Sequence, residues 1–459
     1  MPVNTDVALF VDPFPFLIYK TEWYQGCSEL VTSYFDELIT RIREGKHKDA
    51  LKLLEHIGEA NEARLGFSIN QSSGAGIGPE KARDLYQSLS QSKAVKTGEL
   101  RDLADCDLFV KGISSDNISD MAIRLIKPRL VEYTAKQCKL YGIPTYNMPI
   151  GKIWNPNFVR WEGQYAEVPM VNGDALLLVP KACVRRGVAL DSGKFAQHYM
   201  KNFLQAEHLN AGDSLVELLK SGKKRVTKKR IEETYSFTKD NIADFVGQHP
   251  EVLEQFRDDQ ASADEPLSNE RLEALRPDER HLSISEDCEE LKAIPTGRDH
   301  ANEYHQMVYG YLETLFYPWL SMFDIELEVD EGRKRIDIVA NNTERDGFFS
   351  ELSSKHNLQC PYIFFECKNY GSDLKNPEFD QLRGRFHRRR GHFGFLVCRT
   401  VEDKAKVVSR CRDVMNATEG VVLVLTDEDL CHLIELKAKK QNNAITDYLR
   451  RMLRDVLMS

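Results

Sequence analysis

An acidic and a basic residue stand two positions apart at the end of an apolar run, in the segment YIFFECKNY (Tyr362–Tyr370). Side chains of a β-strand alternate between its two faces, so Glu366 and Lys368 would point to the same side as Phe364. Taken alone, this pair is explained by a surface ion pair, an interaction that contributes little to stability. The neighbouring segments give it a second interpretation.

A further carboxylate lies in the apolar segment RIDIVA, where the flanking isoleucines would face away from Asp337. An unpaired carboxylate inside a buried strand is costly, so Asp337 requires a partner there. Two neighbouring strands would bring Asp337 together with Glu366 and Lys368, and the helix before them would add Glu303. This combination of side chains predicts a site for a divalent metal ion.

Mg²⁺ prefers carboxylate oxygens, backbone carbonyls and water in octahedral geometry. Asp337 and Glu366 would supply carboxylates, and Cys367 would supply its backbone carbonyl because its thiol points to the other face of the strand. Lys368 would orient or deprotonate the attacking water, or stabilise the negative charge that develops at the phosphate. These roles suit phosphodiester hydrolysis by an enzyme that uses Mg²⁺ or Mn²⁺.

The elements predicted around these residues indicate a mixed α/β domain. An amphipathic helix within 297–320 precedes a hairpin formed by 325–340, whose turn lies near Glu331 and Gly332. A polar insertion, 341–359, is predicted to be irregular and leads into the YIFFECK strand.

The segment NPEFDQLRGRFHRRR is predicted to be a helix ended by Gly391. With the strand FGFLVCR it completes a strand–helix–strand crossover, the connection that parallel strands need. A helix, the buried strand VVLVL, a helix opened by a capping box of Thr426 and Asp429, and a last amphipathic helix follow.

RIDIVA and FECK resemble the two acidic motifs of the PD-(D/E)XK nuclease superfamily, with Asp337 in the first and Glu366 and Lys368 in the second. Glu303 is similar to the helix-borne acid that many members place before the core sheet. Gln381 resembles the glutamine that Mrr-like members carry on the helix after the lysine strand.

The resemblance covers about residues 297–426 and lacks the proline of the family name. It implies a restriction-endonuclease-like α/β/α domain with a mixed central sheet, and a Mg²⁺-dependent endodeoxyribonuclease that acts in restriction or in prokaryotic defence against phage. DNA is favoured over RNA on this resemblance. The implied catalytic residues are Asp337, Glu366, Lys368 and Gln381, and the implied metal ligands are Glu303, Asp337, Glu366 and Cys367.

Positive charge is concentrated directly after the lysine strand, where residues 375–390 hold six Lys or Arg and two acids. Such a patch predicts contacts with backbone phosphates, which give salt-dependent binding without sequence preference. The alternative is a solvated helix end whose arginines offset the helix dipole. The predicted nucleic-acid contacts are Arg383, Arg385, Arg388, Arg389 and Arg390.

The chain of 459 residues is long enough for two or three domains. We predict a mixed α/β region of recognition or regulation at 1–255, an acidic linker at 256–296 and the nuclease-like domain at 297–459. The linker assignment rests on 256–290, which hold twelve acids and four Lys or Arg.

The net charge of −9 argues against a protein that binds nucleic acid over its whole surface, although it allows a local basic channel. No apolar run approaches the roughly 18 residues that span a membrane, so we expect a cytoplasmic protein without membrane contact. We also expect either a homodimer or a partner protein acting through the N-terminal region. An alternative function is a sensor or nucleic-acid-binding protein that a partner or ligand activates and that does not cut by itself.

Overall fold

The computed structural model describes residues 9–57, 61–63, 79–171, 173–219, 223–269, 271, 284–329, 334–418 and 420–458. The chain divides into two compact units, Met1–Pro266 and Leu267–Ser459. The boundary falls inside the segment predicted to be an acidic linker. Residues 272–283 of that segment, and the predicted hairpin turn at Glu331 and Gly332, lie outside the described residues.

The N-terminal unit is mixed α/β, and its described strands form short antiparallel pairs. The strands are β1 Phe10–Val11, β2 Tyr146–Asn155, β3 Arg160–Val168, β4 Met170–Val171, β5 Asp174–Ala175, β6 Val184–Arg185, β7 Glu217–Leu218 and β8 Lys224–Arg225. The α-helices are Phe14–Ile18, Glu22–Arg43, His47–Leu54, Pro79–Gln91, Lys93–Thr97, Cys106–Phe109, Ser115–Leu125, Lys127–Tyr141, Ser192–Phe195, Lys201–Ala211, Lys228–Thr234, Lys239–Gln248 and Pro250–Ala263.

A buried ion pair joins β6 to the end of the last helix of this unit. The guanidinium of Arg185 lies 2.7 Å from the Asp264 carboxylate, and Tyr19 donates a hydrogen bond to the same carboxylate at 3.1 Å. These contacts join Asp264 to the core of the N-terminal unit. Residues 256–263, at the start of the predicted linker, therefore belong to a helix that is packed into this unit.

The C-terminal unit contains a mixed sheet, as the sequence predicts. Its described strands are β9 Leu320–Val329, β10 Lys334–Asn342, β11 Tyr362–Lys368, β12 Phe393–Cys398 and β13 Val421–Thr426, in the spatial order β13-β12-β11-β10-β9. β9, β10 and β11 pair antiparallel, and β11, β12 and β13 pair parallel. The α-helices are Ile284–Ala293, Ala301–Phe316, Phe348–Ser354, Asn376–Arg383, Lys404–Ala417, Asp427–Ala438 and Asn442–Met458.

Helices pack on both faces of this sheet because the central strands are apolar on both sides. On one face Phe316, from the helix Ala301–Phe316, stacks on Phe365 and Phe395, with ring centroids 6.1 and 5.9 Å away. On the other face Phe364 stacks on Phe386 at 6.2 Å, and Leu382 of the helix Asn376–Arg383 is fully buried. The alternation of side chains along β11 thus separates Phe364, Glu366 and Lys368 from Phe365 and Cys367.

Two predicted elements are corrected by the structure. The insertion 341–359 is not wholly irregular, because Phe348 and Phe349 are buried and residues Phe348–Ser354 form a helix. The helix after β11 ends at Arg383, eight residues before Gly391. The arginines that follow Arg383 therefore lie in the connection to β12 and not on the helix.

In the part of the chain that the structure describes, no helix combines the length and apolar character needed to cross a membrane.

Candidate active site

The pairing of β10 with β11 places Asp337 beside Glu366. Ile338 lies opposite Phe365 in this antiparallel pair, so one further step of the register sets Asp337 opposite Glu366. At this point the Asp337 carboxylate accepts a hydrogen bond from the Cys367 amide at 2.9 Å. The side chain of Asp337 therefore fixes the end of β11 directly at the predicted metal site.

Glu366 is fully buried, with 0% of its surface exposed. Its Oε1 accepts hydrogen bonds from Lys368 Nζ at 3.1 Å and from the side-chain amide of Gln381. Its Oε2 is also buried and has no hydrogen-bond partner among the described residues. A buried carboxylate oxygen without a donor is unfavourable unless a cation or water completes its surroundings.

Burial, and after it the neighbouring Asp337 carboxylate, raise the pKa of the Glu366 carboxyl, which lies at about 7. The charges of Lys368 and Arg385 act in the opposite direction and lower this pKa. A further positive charge at this position would lower the pKa of Glu366 and favour its ionised form.

Lys368 and Gln381 form a connected set with Glu366. Lys368 is 8% exposed, and its ammonium also donates to Gln381 Oε1 at 2.9 Å. Gln381 comes from the helix Asn376–Arg383, which follows β11 and covers the same face of the sheet. The strand–helix connection thus brings together three of the predicted catalytic residues, and the strand register adds Asp337.

The backbone of Cys367 lies at this site, and its thiol is buried on the other face, where burial raises the pKa of the thiol well above its usual value. The Cys367 carbonyl accepts a hydrogen bond from His305 Nε2 at 3.1 Å. Sequence reasoning missed His305. The available signal was its position next to the buried Tyr304, at the border of the apolar face of the helix Ala301–Phe316.

Glu303, predicted to be a metal ligand, has an exposed carboxylate in this structure. The side chain is 63% exposed and its carboxylate lies 3.2 Å from His300 Nδ1. This contact of Glu303 is thus local to the start of its own helix.

The predicted nucleic-acid contacts divide into two environments. Arg388 and Arg389 are exposed in a turn closed by backbone hydrogen bonds between His387 and Gly391 at 2.8 and 3.1 Å, here called the basic turn (residues 387–391). Arg385 and Arg390 are partly buried, and Arg383 lies 3.5 Å from Asp380. The positive charge is therefore presented by a turn at the amino end of β11, where the Tyr362 amide donates to the Arg390 carbonyl at 3.3 Å, in addition to the helix end.

A second polar cluster lies at the carboxyl ends of β11, β12 and β13. Arg399 lies 2.8 Å from Asp427 and donates to Asn369 at 3.2 Å, and Tyr304 donates to Asp427 at 2.8 Å. Asn369 donates to the carbonyls of Pro295 and Gly297 at 2.9 and 3.0 Å. This cluster holds the residue that follows Lys368 and was not predicted from the sequence.

The oxygens at the site fit a hard divalent cation. Asp337 and Glu366 offer carboxylates, Cys367 offers a carbonyl, and the partnerless Glu366 Oε2 is buried among them. No group of three or more His, Cys, Asp or Glu side chains suited to a metal occurs among the described residues. A cation here would thus depend on two carboxylates, one carbonyl and water, a set that Mg²⁺ accepts.

Residues 1–191 match the family model described as a domain of unknown function (DUF8370), so the N-terminal part of the chain is similar to that family. No curated protein and no solved structure matches the chain. The matched segment ends before Asp264 and contains neither Asp337 nor the residues of β11.

Proposed function

We propose that the C-terminal unit is a metal-dependent nuclease of the PD-(D/E)XK type, with a restriction-endonuclease-like fold, and that it hydrolyses phosphodiester bonds of DNA. The observation that carries this proposal is the buried Glu366 Oε2, which has no partner among the described residues and belongs to a carboxylate already bonded to Lys368 and Gln381. Asp337 lies opposite it in the strand register.

Asp337, Glu366 and the Cys367 carbonyl would hold Mg²⁺ or Mn²⁺. When bound, the cation supplies Lewis-acid stabilisation of negative charge on the phosphate. Asp337 also fixes the Cys367 amide, and His305 fixes the Cys367 carbonyl, so the oxygen ligands are positioned before a cation arrives.

Lys368 serves the phosphate and the attacking water. An ammonium group has three N–H donors, and two are recorded here, to Glu366 and to Gln381. The third is the donor proposed to orient the water or to stabilise charge on a phosphate oxygen. Water adds to phosphorus and releases one proton to the solvent, the bond to the leaving oxygen breaks, and that oxygen takes up one proton from the solvent.

The basic turn supports a polyanionic substrate because it exposes Arg388 and Arg389 at the amino end of the strand whose carboxyl end carries Glu366 and Lys368. DNA is proposed ahead of RNA on the resemblance alone. A cytoplasmic protein of restriction or phage defence, acting as a homodimer or with a partner bound to the N-terminal unit, is the biological setting that we propose.

Cleavage assays test this function. Plasmid, linear duplex, single-stranded DNA and RNA are incubated with the full chain and Mg²⁺, Mn²⁺ or EDTA. We expect metal-dependent cutting of DNA that is lost in Lys368→Ala and in Asp337→Ala. Lys355→Ala is the matched control, since Lys355 is a surface residue paired with Glu351 at 2.6 Å. A wild-type chain that is inert with every substrate and metal would contradict the proposal and favour the sensor that a partner or ligand activates.

A further inference from the structure

Arg385 lies one turn beyond Gln381 along the chain. The Arg385 amide donates to the Leu382 carbonyl at 2.9 Å, and Gly384 keeps a helical φ of −65°. The chain therefore turns on past the end of the helix, and Phe386, the next residue, stacks on Phe364, which shares a face of β11 with Glu366. Arg385 accordingly lies over the face of the sheet on which Gln381 contacts Glu366.

The Arg385 side chain is partly buried and incompletely satisfied. Its Nε is buried and has no hydrogen-bond partner among the described residues. A buried donor left unpaired is unfavourable. In contrast, the buried Arg399 places its Nε 2.8 Å from Asp427 and both terminal nitrogens on acceptors.

The charge of Arg385 acts on the candidate active site. Burial raises the pKa of Glu366, and the positive charge of Arg385 is among the causes that lower it. No ion pair or hydrogen bond joins the two in the described structure: Glu366 Oε1 is bonded to Lys368 and Gln381, and both Glu366 Oε2 and Arg385 Nε are without a partner.

We infer that Arg385 binds a backbone phosphate of the cleaved strand inside the active site, next to the scissile bond. This inference rests on the proposed function. A guanidinium presents a planar set of donors that matches two oxygens of a phosphate. A phosphate oxygen of the substrate then supplies the acceptor that the buried Arg385 Nε lacks.

This role separates Arg385 from Arg388 and Arg389. Those two side chains are exposed in the basic turn at the amino end of β11, so their phosphates lie away from the scissile bond and affect affinity and its dependence on salt. Arg385 contacts the phosphate where charge develops during hydrolysis, so its removal lowers the rate of the chemical step as well as the affinity.

Single-turnover cleavage and binding distinguish the two roles. Cleavage of a duplex oligonucleotide at saturating enzyme is compared for wild type, Arg385→Gln, Arg385→Lys and Arg388→Gln. Dissociation constants are measured between about 50 mM and 200 mM salt in a Lys368→Ala background, which prevents cutting. Arg454→Gln, an exposed arginine on the last helix, is the matched control for loss of one charge.

We expect Arg385→Gln to lower the single-turnover rate about 100-fold, with a smaller loss in Arg385→Lys, which keeps the charge but not the planar donors. Arg388→Gln is expected to weaken binding and to reduce the slope of log affinity against log salt by about 0.9. Arg454→Gln is expected to match wild type.

An Arg385→Gln enzyme that cuts at the wild-type rate when saturated would overturn this inference, even if its affinity falls like that of Arg388→Gln. Such a result would leave the proposed nuclease intact, because wild type cuts in the same assay. A wild-type chain that does not cut would overturn the proposed function and this inference with it. If Arg385→Gln does not fold, Arg385→Lys decides, and an unchanged rate there is the contrary result.

Discussion

The Asp337 carboxylate accepts the backbone amide of Cys367 at 2.9 Å, which gives one side chain both a structural and a chemical task. It ties β10 to the end of β11, and it sets a negative charge opposite Glu366. The two tasks can be separated, because an asparagine oxygen accepts the same hydrogen bond without carrying charge.

Asp337→Asn should therefore keep the stability of the metal-free chain and lose the stabilisation that Mn²⁺ gives to wild type. Asp337→Ala should lose that stabilisation and, in addition, about 1 kcal/mol of metal-free stability with the hydrogen bond. Thermal unfolding with EDTA and with a series of Mn²⁺ concentrations measures both. A Mn²⁺-dependent shift of equal size in Asp337→Asn and wild type would remove Asp337 from the metal site.

The strands of the C-terminal unit were predictable because their signal is local. The apolar run of β11 and the alternation of its side chains place Glu366 and Lys368 on one face, and the structure has their charged atoms 3.1 Å apart. The capping box of Thr426 and Asp429 is likewise a local pattern that the structure confirms.

The remaining features depend on contacts between distant segments. The seven-residue helix Phe348–Ser354 is too short to be stable alone and is held by burial of Phe348 and Phe349. The bond from His305 to the Cys367 carbonyl joins residues 62 positions apart, and no spacing rule identifies it. The end of the helix at Arg383 was missed because the prediction took Gly391 as the stop and passed over Gly384, which is the C-cap in the structure.

The metal-free chain should become less stable as the pH rises, because the folded chain then loses the proton that it holds on Glu366. The pKa of Glu366 is raised from 4.5 to about 7 in the folded chain, so the folded chain holds this proton in a range where the unfolded chain has lost it. Stability is then highest below about pH 4.5 and falls through about pH 7, by on the order of 3 kcal/mol from this group.

Glu344 and Asp427 titrate in a similar range, since burial raises their pKa values to about 7 and about 6. The measurement is therefore the difference between wild type and Glu366→Gln in urea unfolding with EDTA at several pH values. We expect the fall in stability to be shallower in Glu366→Gln. Parallel curves would show that Glu366 has an ordinary pKa. Stabilisation of wild type by Mn²⁺ should grow over the same range, because the cation binds the ionised carboxylate.

The basic turn should depend on glycine at position 391. Gly391 has a φ of +125°, and a Cβ built there would lie 2.9 Å from the Tyr362 carbonyl oxygen. Gly391→Ala is expected to destabilise the C-terminal unit by about 1–3 kcal/mol and to weaken DNA binding. Gly310→Ala is the control, because that helical glycine has open space around its Cβ position and alanine should stabilise its helix by about 1 kcal/mol. Equal unfolding midpoints for the two variants would contradict this prediction.

Arg399 should be needed for the stability of the C-terminal unit independently of cleavage. It is 8% exposed and bonded to Asp427, Asn369 and the Lys292 carbonyl. Arg399→Ala leaves Asp427 buried without its cation, which should cost about 3–5 kcal/mol in urea unfolding. The double variant Arg399→Met with Asp427→Leu removes both charges and should recover part of that loss. The free energy of unfolding is also measured for Arg399→Met and for Asp427→Leu alone. If the loss in the double variant equals the sum of these two losses, a pairwise ionic contribution is excluded.

Gln381 joins the acid and the base of the candidate active site, accepting from Lys368 at 2.9 Å and donating to Glu366. Gln381→Met keeps the length of the side chain and removes both bonds, so the rotamers of Lys368 and Glu366 are less restricted. We expect cleavage to fall about 10- to 100-fold, as for other residues that orient metal ligands, and stability to fall by about 1 kcal/mol. Gln441→Met, at an exposed position near the last helix, is the matched control. If Gln381→Met loses stability but not cleavage, Gln381 is a packing residue. In that case Glu366 alone orients Lys368.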